Sequence, residues 1–256
     1  MRKEDDPPTL HAPLLHDEDG ELSLHFDFPT IQSRMLKADP QRLLLDYTRT
    51  MMGFLLFQPQ PERIAMIGLG GGSLAKYCRS RLPDAQFTAI EISPDVLALR
   101  KAFAIPDDDA RFRVVCADGA DYVRQHANAF DVLLVDGFDR DGQPRQLCSA
   151  AFYDDCHAAL RCGGVLVVNL CADDTGYGSY VARICDSFFG KAIVVEADDG
   201  DNKIVFAHKS ADFPPTLDTL SARLRALEAA HPVDLDRTAQ KILARQRTRP
   251  GTRRRR

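Results

Sequence analysis

Arg63-Ile64-Ala65-Met66-Ile67-Gly68-Leu69-Gly70-Gly71-Gly72-Ser73-Leu74 is the stretch that decides the fold. Four apolar residues, Ile64 to Ile67, run into glycines at 68, 70, 71 and 72, and Ser73 opens a segment of helical spacing. The pattern predicts a buried parallel strand turning sharply into a helix whose first amides have no intrahelical partner. Glycines suit such a turn because they accept positive φ and let a ligand approach the backbone. Phe87-Thr88-Ala89-Ile90 then ends in Glu91, where a carboxylate can accept hydrogen bonds from ribose hydroxyls. Together these features predict a nucleoside site. Read from Gly68 the loop is G-L-G-G-G-S rather than G-x-G-x-x-G, which argues against a bound pyrophosphate.

Outward from this unit, strands are predicted at 63–68, 86–91, 112–116, 130–136 and 164–170, and helices at 73–82, 94–104, 119–127, 149–161 and 177–188. Runs such as Val132-Leu133-Leu134-Val135 and Val165-Leu166-Val167-Val168 are apolar throughout, as in a parallel sheet covered on both faces. Ala192 to Glu196 and Lys203 to Ala207 flank Asp198-Asp199-Gly200-Asp201-Asn202, which reads as a hairpin. The expected architecture is a Rossmann-like α/β domain whose parallel strands are closed by an antiparallel hairpin. Upstream, Leu22, Leu24, Phe26 and Phe28 alternate as one strand of a small N-terminal element. Asp39-Pro40 predicts a helix start, carried on by Leu43, Leu44, Tyr47, Met51, Phe54 and Leu55. The expected division is an N-terminal arm, short β element and helix over 1–60, the Rossmann-like domain over 61–210, C-terminal helices over 211–244, and a disordered Arg-rich tail over 245–256.

Composition narrows the class. The 256 residues are 45% hydrophobic and 27% charged, ordinary for a globular protein with a sizeable core. No apolar run approaches the roughly 20 residues that span a bilayer, and the charged N-terminus has no signal-peptide core. The seven cysteines are scattered without a C-x-x-C pair, which predicts reduced, mostly buried thiols, no structural zinc and a cytoplasmic location. The net charge of -4 conceals an imbalance: residues 245–256 hold seven Arg, leaving 26 basic against 37 acidic residues elsewhere, or -11. Such a body argues against nucleic-acid binding and suits a small cationic substrate.

An acid stands at each of three further strand ends. Strand two ends in Glu91, strand three leads to Asp118-Gly119, and strand four to Asp136-Gly137-Phe138-Asp139. Asp118 is placed to bind an adenine edge or to cap the following helix. Glu91 binds ribose or caps the helix at Ser93-Pro94. Asp136 follows four apolar residues, so partial desolvation is expected to raise its pKa. There it can hold an amine and take its proton as the amine attacks an electrophilic carbon. Asp139 adds a second carboxylate for a polycation.

From Ile64 to Leu170 the chain resembles the spermidine/spermine synthases, the polyamine aminopropyltransferases. The resemblance rests on Ile90-Glu91-Ile92-Ser93, Ala117-Asp118-Gly119-Ala120, the run from Phe130 to Asp139, Gly142-Gln143-Pro144, Ala151-Phe152-Tyr153 and Cys162-Gly163-Gly164-Val165-Leu166-Val167. Asp46-Tyr47-Thr48 and Gln32 match further family positions. The resemblance implies a class I methyltransferase-type sheet and transfer of an aminopropyl group from decarboxylated S-adenosylmethionine to an amine such as putrescine, without a metal. It implies Gly68, Gly70, Gly71, Gly72, Glu91, Ile92, Asp118 and Gly119 on the donor, Asp136 as general base, Asp139 and Tyr47 as amine-substrate contacts, and Gln32 as a substrate contact on the nucleoside. The chain departs from the family at Gly70, where a loop Asp is usual, at Gly137-Phe138, usually Ser-Ser, and in its shorter N-terminal region. These departures leave two alternatives: a methyltransferase using S-adenosylmethionine, and a non-catalytic adenosyl-binding scaffold. The amphipathic 40–56 segment suggests a homodimer contact.

Overall fold

The computed structural model describes residues 12–26, 30–139 and 142–248. The chain opens with β1 (Leu14–Glu18), β2 (Glu21–His25) and β3 (Ser33–Leu36), a three-stranded antiparallel sheet. Next, α1 (Asp46–Met51) tightens into a 3-10 segment, Met52–Leu56. The central unit then alternates: β4 (Arg63–Ile67), α2 (Ser73–Arg81), β5 (Gln86–Glu91), α3 (Pro94–Ala98), β6 (Phe112–Cys116), α4 (Gly119–Arg124), β7 (Phe130–Val135), α5 (Ala150–Ala159), β8 (Leu160–Cys171) and α6 (Tyr177–Ser187). It closes with β9 (Ala192–Glu196) and β10 (Asn202–His208), followed by α7 (Leu217–Leu227) and α8 (Leu235–Thr248).

The second sheet runs β6-β5-β4-β7-β8-β10-β9. Its first five strands pair in parallel, and β10 lies antiparallel between β8 and β9, so the Rossmann-like sheet and its closing hairpin are both present. Ile64 and Met66 pack into one layer while Ala65 and Ile67 pack into the other. With apolar layers on both faces, period-two alternation of polar residues has no place, which is why β4 and β7 read as continuous apolar runs. All six residues of β7 are buried. At the far end of the sheet Asp131 is buried yet satisfied: its Oδ2 accepts from the Glu62 and Arg63 amides at 2.9 and 2.8 Å, and Arg161 lies 3.3 Å from Oδ1. A buried carboxylate is tolerated only with such partners.

Several sequence expectations are corrected. The expected small N-terminal β element is a three-stranded sheet whose β2 starts at Glu21 but ends at His25, and Phe28 lies outside the described residues. No helix starts at Asp39-Pro40. The Arg42 amide instead closes a turn on the Asp39 carbonyl at 3.1 Å. Arg49 ties down the following segment, donating to the Leu43 and Leu44 carbonyls and pairing with Asp46, so helix begins only at Asp46. The helix expected over 94–104 ends at Ala98, because Phe103 and Ile105 turn inward and are buried beneath the glycine loop. Of the seven free cysteines, Cys78, Cys148 and Cys156 are buried, Cys171 and Cys185 are half-buried, and Cys116 and Cys162 are exposed. Helix α8 extends past residue 244 to Thr248, and the remainder of the Arg-rich tail lies outside the described residues. Among the described residues no helix is long and apolar enough to cross a membrane.

The N-terminal sheet meets the glycine loop from above. Ser33 Oγ accepts from the Gly71 amide at 2.9 Å, and behind the loop Lys76 Nζ donates to the Phe103 carbonyl at 2.7 Å. Lys76 is 5% exposed, and burial lowers its pKa to about 8. Because this pKa lies below that of the unfolded chain, the cost of burying the ammonium is complete below pH 8 and fades as pH rises toward 10.5. Wild-type stability is therefore expected to gain about 3 kcal/mol relative to Lys76→Met across that window. Urea denaturation of both proteins at several pH values measures the difference.

Candidate active site

Strand order reverses between β4 and β7, and a cleft of about 650 Å³ opens there, outside the carboxyl ends of the strands. This is where open α/β sheets bind ligands, and the volume suits a small molecule. The close contact at its base is between backbones. Gly68 has φ +87°, and a Cβ on it would collide with the Asp136 carbonyl, while the Asp136 amide donates to the Ile67 carbonyl at 2.9 Å. Glycine at 68 therefore lets the two strand ends lie side by side.

Asp136 is the chemical focus. Tyr47, carried in by α1, donates its hydroxyl to Oδ2 at 3.3 Å, and Asn169 on β8 donates Nδ2 to Oδ1 at 2.9 Å. Burial pushes the carboxyl up to about 6, opposed by those two hydrogen bonds. Burial, with Asp136 close by, also drives the Tyr47 phenol well above its usual range, so Tyr47 stays protonated and donates. A carboxylate with its pKa near neutrality is suited to accept a proton at physiological pH.

Around this pair the cleft is acidic. Glu91, Asp118, Asp136, Asp139, Asp199 and Asp201 all line it, and no Lys, Arg or His does so among the described residues. Among those residues no group of His, Cys, Asp and Glu is placed to hold a metal ion. The acidic lining suits a cation.

The sequence-selected residues divide into two sets. Gly68, Gly70, Glu91, Ile92, Asp118, Gly119, Asp136, Asp139, Tyr47 and Gln32 converge on the cleft. Gly71 and Gly72 stand behind it, where Cβ atoms would press within 2.7 Å of Phe103 and 2.6 Å of Ile105 respectively. Glu91 does not cap the next helix, since Ser93 Oγ accepts from Val96 instead. Its Oε2 holds the Leu69 amide and its Oε1 the Ser93 amide, each at 2.9 Å, which pins the glycine loop. Asp118 does cap α4, through Oδ1 to Ala120 and Asp121, while also facing the cleft. Asp139 pairs backbone to backbone with Gly142, and the neighbouring Arg140 and Asp141 lie outside the described residues.

Sequence reasoning missed Asn169, Asn202, Asp199, Asp201 and Ser33. Asn169 had a legible signal, as the one polar residue in the apolar run Val165 to Leu170. The others had none. The turn acids read as ordinary turn formers, and only the register of β10 against β8, Asn202 opposite Cys171, carries that turn to the cleft.

Comparison with known proteins agrees with this geometry. The family model for the spermine/spermidine synthase domain matches residues 45–183. The chain belongs to the spermine/spermidine synthase family. It is 40% identical over 213 residues to a polyamine aminopropyltransferase of Chromobacterium violaceum, covering 82% of both chains. It is 37% identical over 223 residues to one of Neisseria meningitidis, covering 86% of this chain and 85% of that protein. A probable spermidine synthase from Corynebacterium glutamicum shares the fold over 91% of both chains, with a TM-score of 0.71 at 20% identity. Human methyltransferase-like protein 13, solved with SAH, shares it at a TM-score of 0.65 and 23% identity over 72% of this chain and 91% of that one.

The raised pKa of Asp136 carries a stability consequence. The half-buried carboxylate costs most above pH 6 and nothing once it is protonated in both folded and unfolded states, below about pH 4. Asp136→Asn is therefore expected to be more stable than wild type at pH 7–8 by about 2–3 kcal/mol, with the advantage vanishing toward pH 4. Denaturant midpoints across that range provide the measurement.

Proposed function

We propose that this enzyme transfers an aminopropyl group from decarboxylated S-adenosylmethionine to a di- or polyamine such as putrescine, with Asp136 as the general base. The observation that carries the reading is a half-buried carboxylate, raised toward neutrality by desolvation and held ionisable by Tyr47 and Asn169, in a cleft lined by six acids and no described base. Family membership points the same way, as does the shared fold with a spermidine synthase solved with the transition-state analogue AdoDATO.

In this reading Glu91 holds the ribose and Asp118 the adenine edge, with Ile92 and Gly119 beside the base and Gly68 and Gly70 giving the donor access to the backbone. Gly71 and Gly72 support that loop from behind. The other carboxylates gather the cationic amine, with Asp139 and Tyr47 along its path and Gln32 against the nucleoside. One amine nitrogen attacks the carbon next to the sulfonium sulfur, the carbon–sulfur bond breaks, and methylthioadenosine leaves. Asp136 takes the proton that the attacking nitrogen loses. Holding donor and acceptor in line supplies most of the acceleration, and the base contributes about 10²- to 10⁴-fold.

Incubation with decarboxylated S-adenosylmethionine and putrescine is expected to release methylthioadenosine, and Asp136→Asn to cut that release about 10²- to 10⁴-fold. Release of S-adenosylhomocysteine from S-adenosylmethionine would instead establish methyl transfer, and binding of either nucleoside without turnover would leave a scaffold. The rate of the wild-type enzyme is expected to fall as pH drops through about 6, where Asp136 becomes protonated. Asp199→Asn and Asp201→Asn are expected to raise the KM for the amine several-fold with kcat little changed, because both stand at the exposed rim and act on the cation before it reaches the base. Initial rates at varied amine concentration decide this.

A further inference from the structure

Asn169 is an anomaly of the core. On β8 it follows Val165 and Val167 on the same face, is 2% exposed, and sits where an apolar residue would continue the layer. A buried amide is costly unless its polar atoms are paired. Its Nδ2 donates to Asp136 Oδ1 at 2.9 Å, and its Oδ1 accepts from Asn202 Nδ2 at 2.9 Å. Asn202 is the first residue of β10 and comes from the closing hairpin.

The polarity of this chain is determined by chemistry. An ionised carboxylate only accepts, so Asn169 must present its NH₂ to Asp136 and its carbonyl to Asn202, which must then donate in turn. The two amides form a relay whose orientation the charge on Asp136 selects. On the opposite side Tyr47 reaches Oδ2 at the longer 3.3 Å. The carboxylate is thus held by one donor on each oxygen, and Oδ2, the more loosely held, remains the better proton acceptor.

We propose that Asn169 and Asn202 are positioning residues for the reaction: they fix the rotation of the Asp136 carboxylate and favour its ionised form, coupling the β9–β10 hairpin to the base. Among the described residues the remaining ionisable groups around the cleft are Tyr47 from α1, Asp139 from the loop after β7, Asp199 and Asp201 from the hairpin turn, Glu91 at the end of β5, Asp118 capping α4 and Cys171 at the end of β8. Burial opposes the ionisation of Asp136. The donors Tyr47, Asn169 and, through it, Asn202 therefore preserve the charge.

This inference rests on the reading of Asp136 as the base, so its test does not use turnover. In the full-length unliganded protein labelled with ¹³C at aspartate carboxyls, the Asp136 resonance, assigned by its loss in Asp136→Asn, is titrated directly. Asn169→Leu is expected to raise the Asp136 midpoint by one pH unit or more, and Asn202→Ala by a smaller amount in the same direction. In the double variant Asn202→Ala is expected to add nothing, because it acts only through Asn169. An unmoved midpoint in folded Asn169→Leu overturns the proposal, as does a full Asn202 effect in the absence of Asn169. If Asn169→Leu fails to fold, the half-buried Asn202→Ala decides alone: a rise supports the relay and no rise overturns it. Lack of turnover in wild type would count against the proposed reaction and leave this titration intact.

Discussion

The contact between Gly68 and the Asp136 carbonyl governs the rest of this structure. Any side chain at 68 would strike that oxygen and would also have to adopt φ +87°, in a region that costs other residues about 1 kcal/mol or more. With glycine there, β4 and β7 end side by side at the point where strand order reverses. The glycine loop and the Asp136 carboxylate are then parts of one rim. The same economy recurs nearby: a Cβ on Gly119 would collide with Ile67, and one on Gly137 would press within 2.6 Å of Leu147. The glycines of this rim serve packing first, and access for a ligand follows from it.

Desolvation and hydrogen bonding oppose one another at Asp136, and their balance sets its chemistry. Burial alone would push the carboxyl far up, and enough donors would hold it far down. One phenol and one amide leave it at about 6, where it is ionised at neutral pH yet remains a useful proton acceptor. Burial makes ionisation harder, and the two donors offset part of that cost. Stability is given up for this arrangement, as functional sites commonly require.

Much of this was legible in the sequence, because the signals were local. The apolar runs of β4, β7 and β8, the glycine loop and the strand-end acids each occupy a few consecutive residues whose period or chemistry has one structural meaning. The failures were also physical. Asp39-Pro40 has the chemistry of a helix start, but Arg49 clamps the carbonyls of residues 43 and 44 and holds the preceding segment in turns. The segment 94–104 has helical spacing, but the demand for Phe103 and Ile105 beneath the loop outweighs it. The short strands β1 and β3 carry no period long enough to read, and depend on pairing with β2.

The sequence by itself determined the sheet, its order of elements and the residues at the strand ends, because burial on both faces and sharp glycine turns leave direct marks in the chain. Tertiary structure alone decided which partners reach those ends. Tyr47 lies 89 residues from Asp136 and Asn169 lies 33 away, and the turn acids arrive only through the antiparallel register of β10 on β8. Contacts of that range depend on how strands align in space, which no local spacing encodes. The sequence therefore announces a carboxylate at the mouth of the sheet, and only the fold surrounds it with one phenol, one amide and five other acids.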